Sequence, residues 1–507
     1  MKNVNKLSLI TASTLAGAAL PLFAAAQNAE QPNVIYIMVD DYGWADTGYN
    51  GSKFYETPNI DRLAKRGVEF TDGYAAAPIS SPTRVSLMTG KYPARNGITD
   101  WIPGYQYNLN EEQRSKYKMV VPEIPLDMPL EEVTIAEAFK EGGYNTFHLG
   151  KWHCAEHEPY YPHHQGFDVN IGGWLKGSPN GVTRGRGGQG AYTSPYNNPY
   201  ITDGPDGEFL TDRLGLEASD IIKGSGDDPF FMYLAFYAVH TPIEAKPEVV
   251  EYFKEKASKM SIDELEAMDK LSTLYQYQDR MAWHWKERVI QNNAEYAALI
   301  YTMDQNVGRV LDALEAAGKD SNTIVCLMGD NGGLSTAEGS PTCNAPLRAG
   351  KGWLYEGGIR VPFLISCPDL IKADQVSSMP VVSVDFYPTL LDLCNIPLKP
   401  EQHKDGVSIA PALRGEDQDR GDLFFHYPHY GGKGDAPAGA IRSGKYKLIE
   451  FYEDGHLELY DLEKDLSEST NIVKDEPKVA ADLYSRLEKW RKDVGAKMPR
   501  INPGYKR

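Results

Sequence analysis

The sequence predicts an α/β protein, with a large, mostly parallel central sheet flanked by helices and a smaller C-terminal α+β subdomain of antiparallel sheet and one helix. Three observations carry this expectation. Five short, nearly unbroken apolar runs recur along the chain, helix-patterned segments lie between them, and beyond about residue 420 the pattern changes to closely spaced strands and one helix. Strands covered on both faces read as continuous apolar runs, and their alternation with helices points to helices on both sides of a parallel or mixed sheet.

The runs are NVIYIMV (Asn33 to Val39), YNTFHLG (Tyr144 to Gly150), PFFMYLAFYAV (Pro229 to Val239), TIVCLMG (Thr323 to Gly329) and RVPFLIS (Arg360 to Ser366). Between them, NIDRLAKRG offers Asn59 as a helix cap and Gly67 as a stop. A short helix is expected over Arg84 to Thr89, just after two serines and a proline. From Glu295 to Ala317, the spacing of Ile300, Met303, Val307, Val310, Leu311 and Leu314 gives one apolar helix face, and Gly318 ends it. The stretch from Glu248 to Trp285 is charged, helix-prone and peripheral. KYKLIEFYEDGHLELYDL (Lys445 to Leu462) reads as two strands joined at Asp454-Gly455, and VAADLYSRLEKWRKDV (Val479 to Val494) as an amphipathic helix. The expected division is a leader over residues 1–26, a catalytic α/β domain over 30–420 and a C-terminal subdomain over 421–507.

Composition narrows the function. The 507 residues carry a formal net charge of -18, a poor basis for holding nucleic acid non-specifically. An anionic substrate would need positive charge gathered locally in a pocket. Lys2 and Lys6, the apolar run Leu7 to Phe23 and the small residues Ala24-Ala25-Ala26 make a secretory leader, so an exported, periplasmic or secreted protein is expected. No later run is long enough to span a bilayer. The five cysteines show no CxxC spacing, which leaves a zinc or redox motif unsupported, and Cys326 and Cys367 lie in apolar runs as buried thiols.

Ligands of open α/β sheets bind beyond the carboxyl ends of the strands. Asp40 and Asp41 follow Val39, Lys151 and His153 follow Gly150, His240 follows Val239, and Asp330 and Asn331 follow Gly329. Each alone has an ordinary explanation as a cap, a turn or a core histidine. Their recurrence at one sheet edge points to a site. Asp40, Asp41, Asp330 and Asn331 offer only oxygen donors, which suit a hard cation, Ca²⁺ in preference to Mg²⁺. Arg84, Lys151 and Lys351 would face the same place. A metal and several cations around Ser80, at a helix start, describe a site for a small tetrahedral oxyanion ester.

These motifs resemble the formylglycine-dependent (type I) sulfatases of the alkaline-phosphatase-like superfamily. The resemblance rests on Ser80-Ser81-Pro82-Thr83-Arg84 followed by Thr89-Gly90, and on VDDYGWAD, GKWH, HTP, GDNGG and LRAGKGWLYEGGIRVP in order. It covers nearly all of the chain beyond the leader. Two departures, Thr83 and Lys91, remove no reacting group. The resemblance implies that Ser80 is oxidised to formylglycine by a maturation enzyme able to use serine, as in anaerobic bacteria. It implies that Asp40, Asp41, Asp330, Asn331 and the modified Ser80 hold Ca²⁺, that Arg84 steadies the hydrated aldehyde, and that Lys151 and Lys351 neutralise sulfate oxygens. His240 would protonate the leaving alkoxide, and His153 would take the proton that lets sulfate leave by elimination.

The implied substrate is a sulfated carbohydrate of host or algal glycans. The run PTCNAPLRAGKGWLYEGGIRVP is most similar to sulfatases of polysaccharide-degrading bacteria acting on galactose-type sugars, which points to 4-O-sulfated galactose or N-acetylgalactosamine. Asp100 and Trp101, Arg184 and Arg186, and His426 and His429 are candidate sugar contacts. Two alternatives stay open: a phosphonate or phosphate ester hydrolase of the same superfamily, and a carbohydrate-binding pseudoenzyme with Ser80 unmodified.

Overall fold

The computed structural model describes residues 31–179, 191–260 and 287–506. The expected leader, residues 1–26, lies outside them, as does most of the charged stretch beyond Met260. Eight strands form the central sheet among the described residues. In chain order they are β1 (Asn33–Val39), β2 (Gly67–Phe70), β3 (Asn145–Gly150), β4 (Val169–Ile171), β5 (Phe230–Phe236), β6 (Thr323–Gly329), β7 (Phe363–Ser366) and β8 (Gln375–Ser377). Across the sheet the order is β8-β2-β7-β6-β1-β5-β3-β4. All neighbours run parallel except β7, which is antiparallel to both β2 and β6. The run containing β7 was expected among the parallel strands. An apolar run records burial on two faces and carries no information on direction.

Side-chain alternation along β1 builds both halves of the core. Val34, Tyr36 and Met38 face one side, with α2 (Ser80–Thr89), α3 (Ile135–Glu141) and α6 (Phe386–Leu393). Ile35, Ile37 and Val39 face the other, with α1 (Pro58–Lys65), α4 (Leu210–Gly224) and α5 (Ala294–Ala316). The Asn293 side chain caps α5 by accepting from the backbone N–H groups of Glu295 and Tyr296. Asn59 is not the cap of α1. Pro58 starts that helix after Thr57, and Asn59 sits in its first turn, donating to Asp304.

The C-terminal sheet is antiparallel and follows chain order: β9 (Leu423–Tyr427), β10 (Ala438–Ser443), β11 (Tyr446–Phe451) and β12 (Leu457–Asp461). The β11–β12 turn uses Gly455 at φ 71°. One face of the sheet packs Ile441, Leu448 and Leu459 against Ala480, Leu483 and Leu487 of α7 (Pro477–Val494). The other face packs Phe425, Tyr427 and Phe451 against Trp353, Leu354 and Ile79, the residue that precedes α2. No helix among the described residues is long and apolar enough to cross a membrane. All five cysteines are buried and free.

Lys447 of β11 is fully buried between two carboxylates, 2.9 Å from Glu356 and 2.9 Å from Glu468. The pairing ties the C-terminal sheet to the segment that precedes β7. Removing one partner of a buried ion pair leaves uncompensated charge and costs about 3–5 kcal/mol. Lys447→Ala is therefore expected to lose stability of that size in urea denaturation monitored by tryptophan fluorescence. An unchanged midpoint would remove the network's structural role.

Candidate active site

The α2 helix begins at Ser80 itself, four residues earlier than the sequence pattern indicated. Its N-cap, Ile79, is extended and no side chain caps the helix. The Ser80 hydroxyl instead lies 3.3 Å from Asp40 Oδ1, 3.3 Å from Asn331 Oδ1 and 3.2 Å from Lys151 Nζ. The neighbouring Ser81 does a local job, its Oγ accepting from the Ile102 N–H.

Four adjacent strands deliver the rest. Asp40 and Asp41 stand at the end of β1, Lys151 at the end of β3, His240 beyond β5, and Asp330 and Asn331 at the end of β6. Two strand ends require glycine. A Cβ on Gly150 (φ 94°) would stand 2.0 Å from the Ala235 carbonyl oxygen, and one on Gly329 would stand 2.4 Å from that of Tyr42. Asp41 (φ 55°) and His153 (φ 54°) occupy left-handed backbone that non-glycine residues seldom adopt.

The buried charges pair one to one. Lys151 Nζ sits 2.8 and 2.7 Å from the two oxygens of Asp40. Lys351 Nζ is 2.7 and 2.8 Å from those of Asp41. Arg84 donates Nε–H to Asp330 at 2.9 Å and Nη1–H to the Lys151 carbonyl at 3.1 Å. Asp330 also accepts from the Asp41 N–H at 3.0 Å, and Asn331 donates to Asp41 at 2.9 Å. Burial pushes the Asp40 carboxyl well up and the Lys151 ammonium down, each opposed by the other's charge. Burial also acts on Asp41 and Asp330, but Lys351 and Arg84 respectively prevail and hold both below the ordinary carboxylate value.

Both histidines have their ring orientation set by a backbone carbonyl. Nδ1 of His240 meets the Thr241 oxygen at 2.5 Å, so it carries the proton, and Nε2 remains for chemistry, 3.7 Å from Asp41. His153 has the opposite arrangement. Its Nε2–H donates to the Ile102 carbonyl at 3.0 Å, and its buried Nδ1 has no hydrogen-bond partner among the described residues. Burial, then Lys351, lowers His240 to about 4, while burial and Lys151 hold His153 well below the usual range. Both rings are neutral near pH 7.

Ser80, His153, His240 and Lys351 open onto one pocket of about 650 Å³, with Trp101 on its wall. Glu156, Lys176, Glu338 and Lys433 also line it. Nothing in the sequence patterning singled out these four, or the carbonyls of Ile102 and Thr241. Three candidate sugar contacts lie elsewhere. Asp100 is buried, its oxygens taken by the N–H groups of Trp101 (2.9 Å) and Tyr105 (3.2 Å), and burial pushes it up to about 7. His426 is buried with both nitrogens engaged, by Tyr452 at 2.8 Å and the Lys497 carbonyl at 3.1 Å. His429 is buried against Thr99 at 2.7 Å. These are packing and loop-shaping groups, not pocket walls. Arg184 and Arg186 fall outside the described residues.

The donor set fits a hard cation. One oxygen each from Asp40 and Asp41 and a ring nitrogen of His240 lie within 4.8 Å of one another, and the Asp330 and Asn331 oxygens adjoin them. Comparisons with known proteins agree with this architecture. Residues 32–396 match the Sulfatase family model, and residues 349–493 match that of the N-sulphoglucosamine sulphohydrolase C-terminal region. A sulfatase of Formosa agariphila is 33% identical over 93% of this chain and 91% of its own. The N-acetylgalactosamine-6-sulfatase of Mus musculus is 30% identical over 80% of this chain and 71% of its own. The crystal structure of Ps i-CgsB in complex with k-i-k-neocarrahexaose superposes with a TM-score of 0.70 at 29% identity, covering 92% of this chain and 93% of that one. The chain belongs to the sulfatase family, whose members generally use a metal ion and formylglycine, and it is a sulfuric ester hydrolase.

Gly177 packs on the His153 ring, where an added Cβ would stand 2.4 Å from Cε1. Gly177→Ala is expected to displace that imidazole and lower kcat/KM by about 10–100-fold with an unchanged melting temperature. Parental kinetics in this variant would show that the position of His153 is unimportant.

Proposed function

We propose that this protein hydrolyses sulfate esters on sugars, with Ser80, oxidised to formylglycine by a maturation enzyme, as the attacking residue, and Asp40, Asp41, Asp330 and Asn331 as ligands of Ca²⁺. The observation that carries the reading is the Ser80 hydroxyl, held among Asp40, Asn331 and Lys151 at the floor of a pocket instead of capping its helix. The bound cation would lower the charge on the sulfate and on the nucleophile. Hydration of the aldehyde would supply two hydroxyls on one carbon, one to attack sulfur and one whose deprotonation expels sulfate.

The protein's own groups divide the remaining work. Arg84, fully buried and locked to Asp330, orients the Ser80 position from one helical turn away. Lys151 and Lys351 stabilise the sulfate oxygens as charge shifts in the transition state. His153 is neutral, with Nδ1 bare, the state a proton acceptor needs. His240 must donate through Nε2. In the free site burial, and after it Lys351, depress its affinity for a proton. An incoming sulfate would offset the Lys351 contribution and favour protonation of the ring beside the leaving oxygen.

The substrate reading is a sulfated galactose-type sugar, 4-O-sulfated galactose or N-acetylgalactosamine in particular. Support comes from Trp101, a flat half-buried ring on the pocket wall. The oligosaccharide held by the Ps i-CgsB structure and the mouse relative, named as an N-acetylgalactosamine-6-sulfatase, support the galactose-type sugar and leave the 4-position resting on the sequence resemblance. Export, by the leader at 1–26, would place the enzyme where such glycans occur. Residues 30–420 would form the catalytic domain and 421–507 the C-terminal subdomain.

Mass spectrometry of the Ser80 peptide is expected to show a loss of two hydrogens after expression with a serine-oxidising maturation enzyme. An unmodified serine in protein that still cleaves sulfate esters would refute the aldehyde. Chelation should abolish activity, and Ca²⁺ should restore more of it than Mg²⁺. His240→Ala is expected to reduce turnover of a sugar sulfate by about 100-fold or more, yet spare an activated aryl sulfate, whose leaving group needs no proton. Equal losses on both substrates would remove the acid role.

A further inference from the structure

A second group of metal-competent side chains lies away from the pocket. Glu158, His163 and His164 each present a donor atom, all within 4.8 Å of one another, on the protein surface. Two short 3-10 turns build the group, Glu158–Tyr160 and Pro162–His164. Pro162 presets the backbone of the second turn and sends two consecutive imidazoles back toward the first. Nε2 of His163 lies 2.9 Å, and Nε2 of His164 3.3 Å, from the same oxygen of Glu158. The two rings are 4.2 Å apart, and His163 also rests against Tyr200, with ring centroids 5.5 Å apart. Tyr200 is in turn held by Tyr161 at 5.7 Å.

A single histidine on a carboxylate is an ordinary surface hydrogen bond. Two ring nitrogens converging on one carboxylate oxygen make a different object, an N₂O donor triangle. We propose that Glu158, His163 and His164 form a surface site for a borderline divalent transition metal, Zn²⁺ in the first place. Zn²⁺ binds histidine nitrogen at about 2.0–2.1 Å and carboxylate oxygen at about 2.0–2.2 Å in tetrahedral geometry, which sets donor separations of roughly 3.4 Å. The observed separations reach that value by small side-chain rotations. The side chains of Glu158, His163 and His164 are 55%, 30% and 44% exposed, so they are free to rotate and leave the fourth position to water.

The donor chemistry separates this site from the catalytic one. The cluster around Ser80 is rich in oxygen and suits a hard cation, whereas two imidazoles and one carboxylate select a softer ion. Glu158 lies two residues beyond Glu156 of the pocket wall, so a bound ion would brace the turn that supports that wall. The site does not depend on the catalytic reading.

The test uses the full, untagged protein near neutral pH with saturating Ca²⁺ to occupy the oxygen-rich cluster. Calorimetric titration with Zn²⁺ is expected to show one site with Kd on the order of 10 µM. Co²⁺ titration should give the intense visible absorption of tetrahedral coordination. The exposed variants Glu158→Gln and His163→Ala/His164→Ala should retain the circular dichroism spectrum and the Ca²⁺-supported sulfatase activity, and lose Zn²⁺ affinity at least about tenfold. Zn²⁺ and Co²⁺ titrations identical in parent and variants, or no binding by the parent, would overturn the proposal. A protein inactive toward sulfate esters that still binds Zn²⁺ in this way would sink the catalytic reading alone.

Discussion

Six ionisable side chains, three acidic and three basic, lie out of water at the carboxyl end of the central sheet. Asp40, Asp330, Arg84 and Lys151 are fully buried, and Asp41 and Lys351 nearly so. Each charge moved out of water costs several kcal/mol, which attraction to a partner offsets only when the geometry is close. Here every carboxylate has a cation within 3 Å. The pairs are also linked to one another, since Arg84 holds the Lys151 carbonyl and Asn331 and the Asp41 N–H join the acidic groups. The three pairs can form together only when the loops after β1, β3 and β6, the start of α2 and the segment that carries Lys351 are all in register. The fold and the site therefore impose the same condition on the chain.

That condition explains the strand order. β6, β1, β5 and β3 are consecutive neighbours, all parallel, so their carboxyl ends line up a strand spacing apart, about 4.8 Å. Side chains leaving four successive ends can then meet around one hydroxyl. Left-handed backbone at Asp41 and His153 turns the chain sharply at two of these ends. Strain of this kind persists where the surroundings determine the conformation, here the Lys351 pair at Asp41 and the Ile102 carbonyl at His153. Ser80 enters from the side, on a helix whose ten residues are all buried.

Much of this was legible in the sequence, for a definite reason. The strands are buried on two faces and so appear as apolar runs, and residues such as Asp40, Lys151 and Asp330 stand out by interrupting an apolar run with charge. Other features carry no such mark. The reversed direction of β7 leaves no trace in an apolar run. The carbonyls of Ile102 and Thr241, which set the tautomers of His153 and His240, belong to residues whose side chains are irrelevant to the task. His426 and His429 misled in the opposite sense. They were expected at the pocket rim, but in the folded protein His426 is engaged by Tyr452 and the Lys497 carbonyl and His429 is buried against Thr99.

The C-terminal sheet is better understood as one wall of the site than as an appendage. Lys351 belongs to the segment that runs into α/β territory at β7, yet its neighbours Trp353, Leu354 and Tyr355 pack on β9 and β11. Glu356 is fixed from both sides, by Tyr74 at 2.9 Å next to the central sheet and by Lys447 at 2.9 Å within the C-terminal sheet. Arg348 lies 3.9 Å over the Tyr355 ring and donates to the Glu468 carbonyl at 2.8 Å. The chain between Arg348 and Glu356 is thus held at both ends, with Lys351 in the middle facing Asp41. The same sheet sends Gly431, Gly432 and Lys433 to the pocket wall. The two family models overlap over residues 349–396, the stretch that begins with this doubly held segment and carries Lys351.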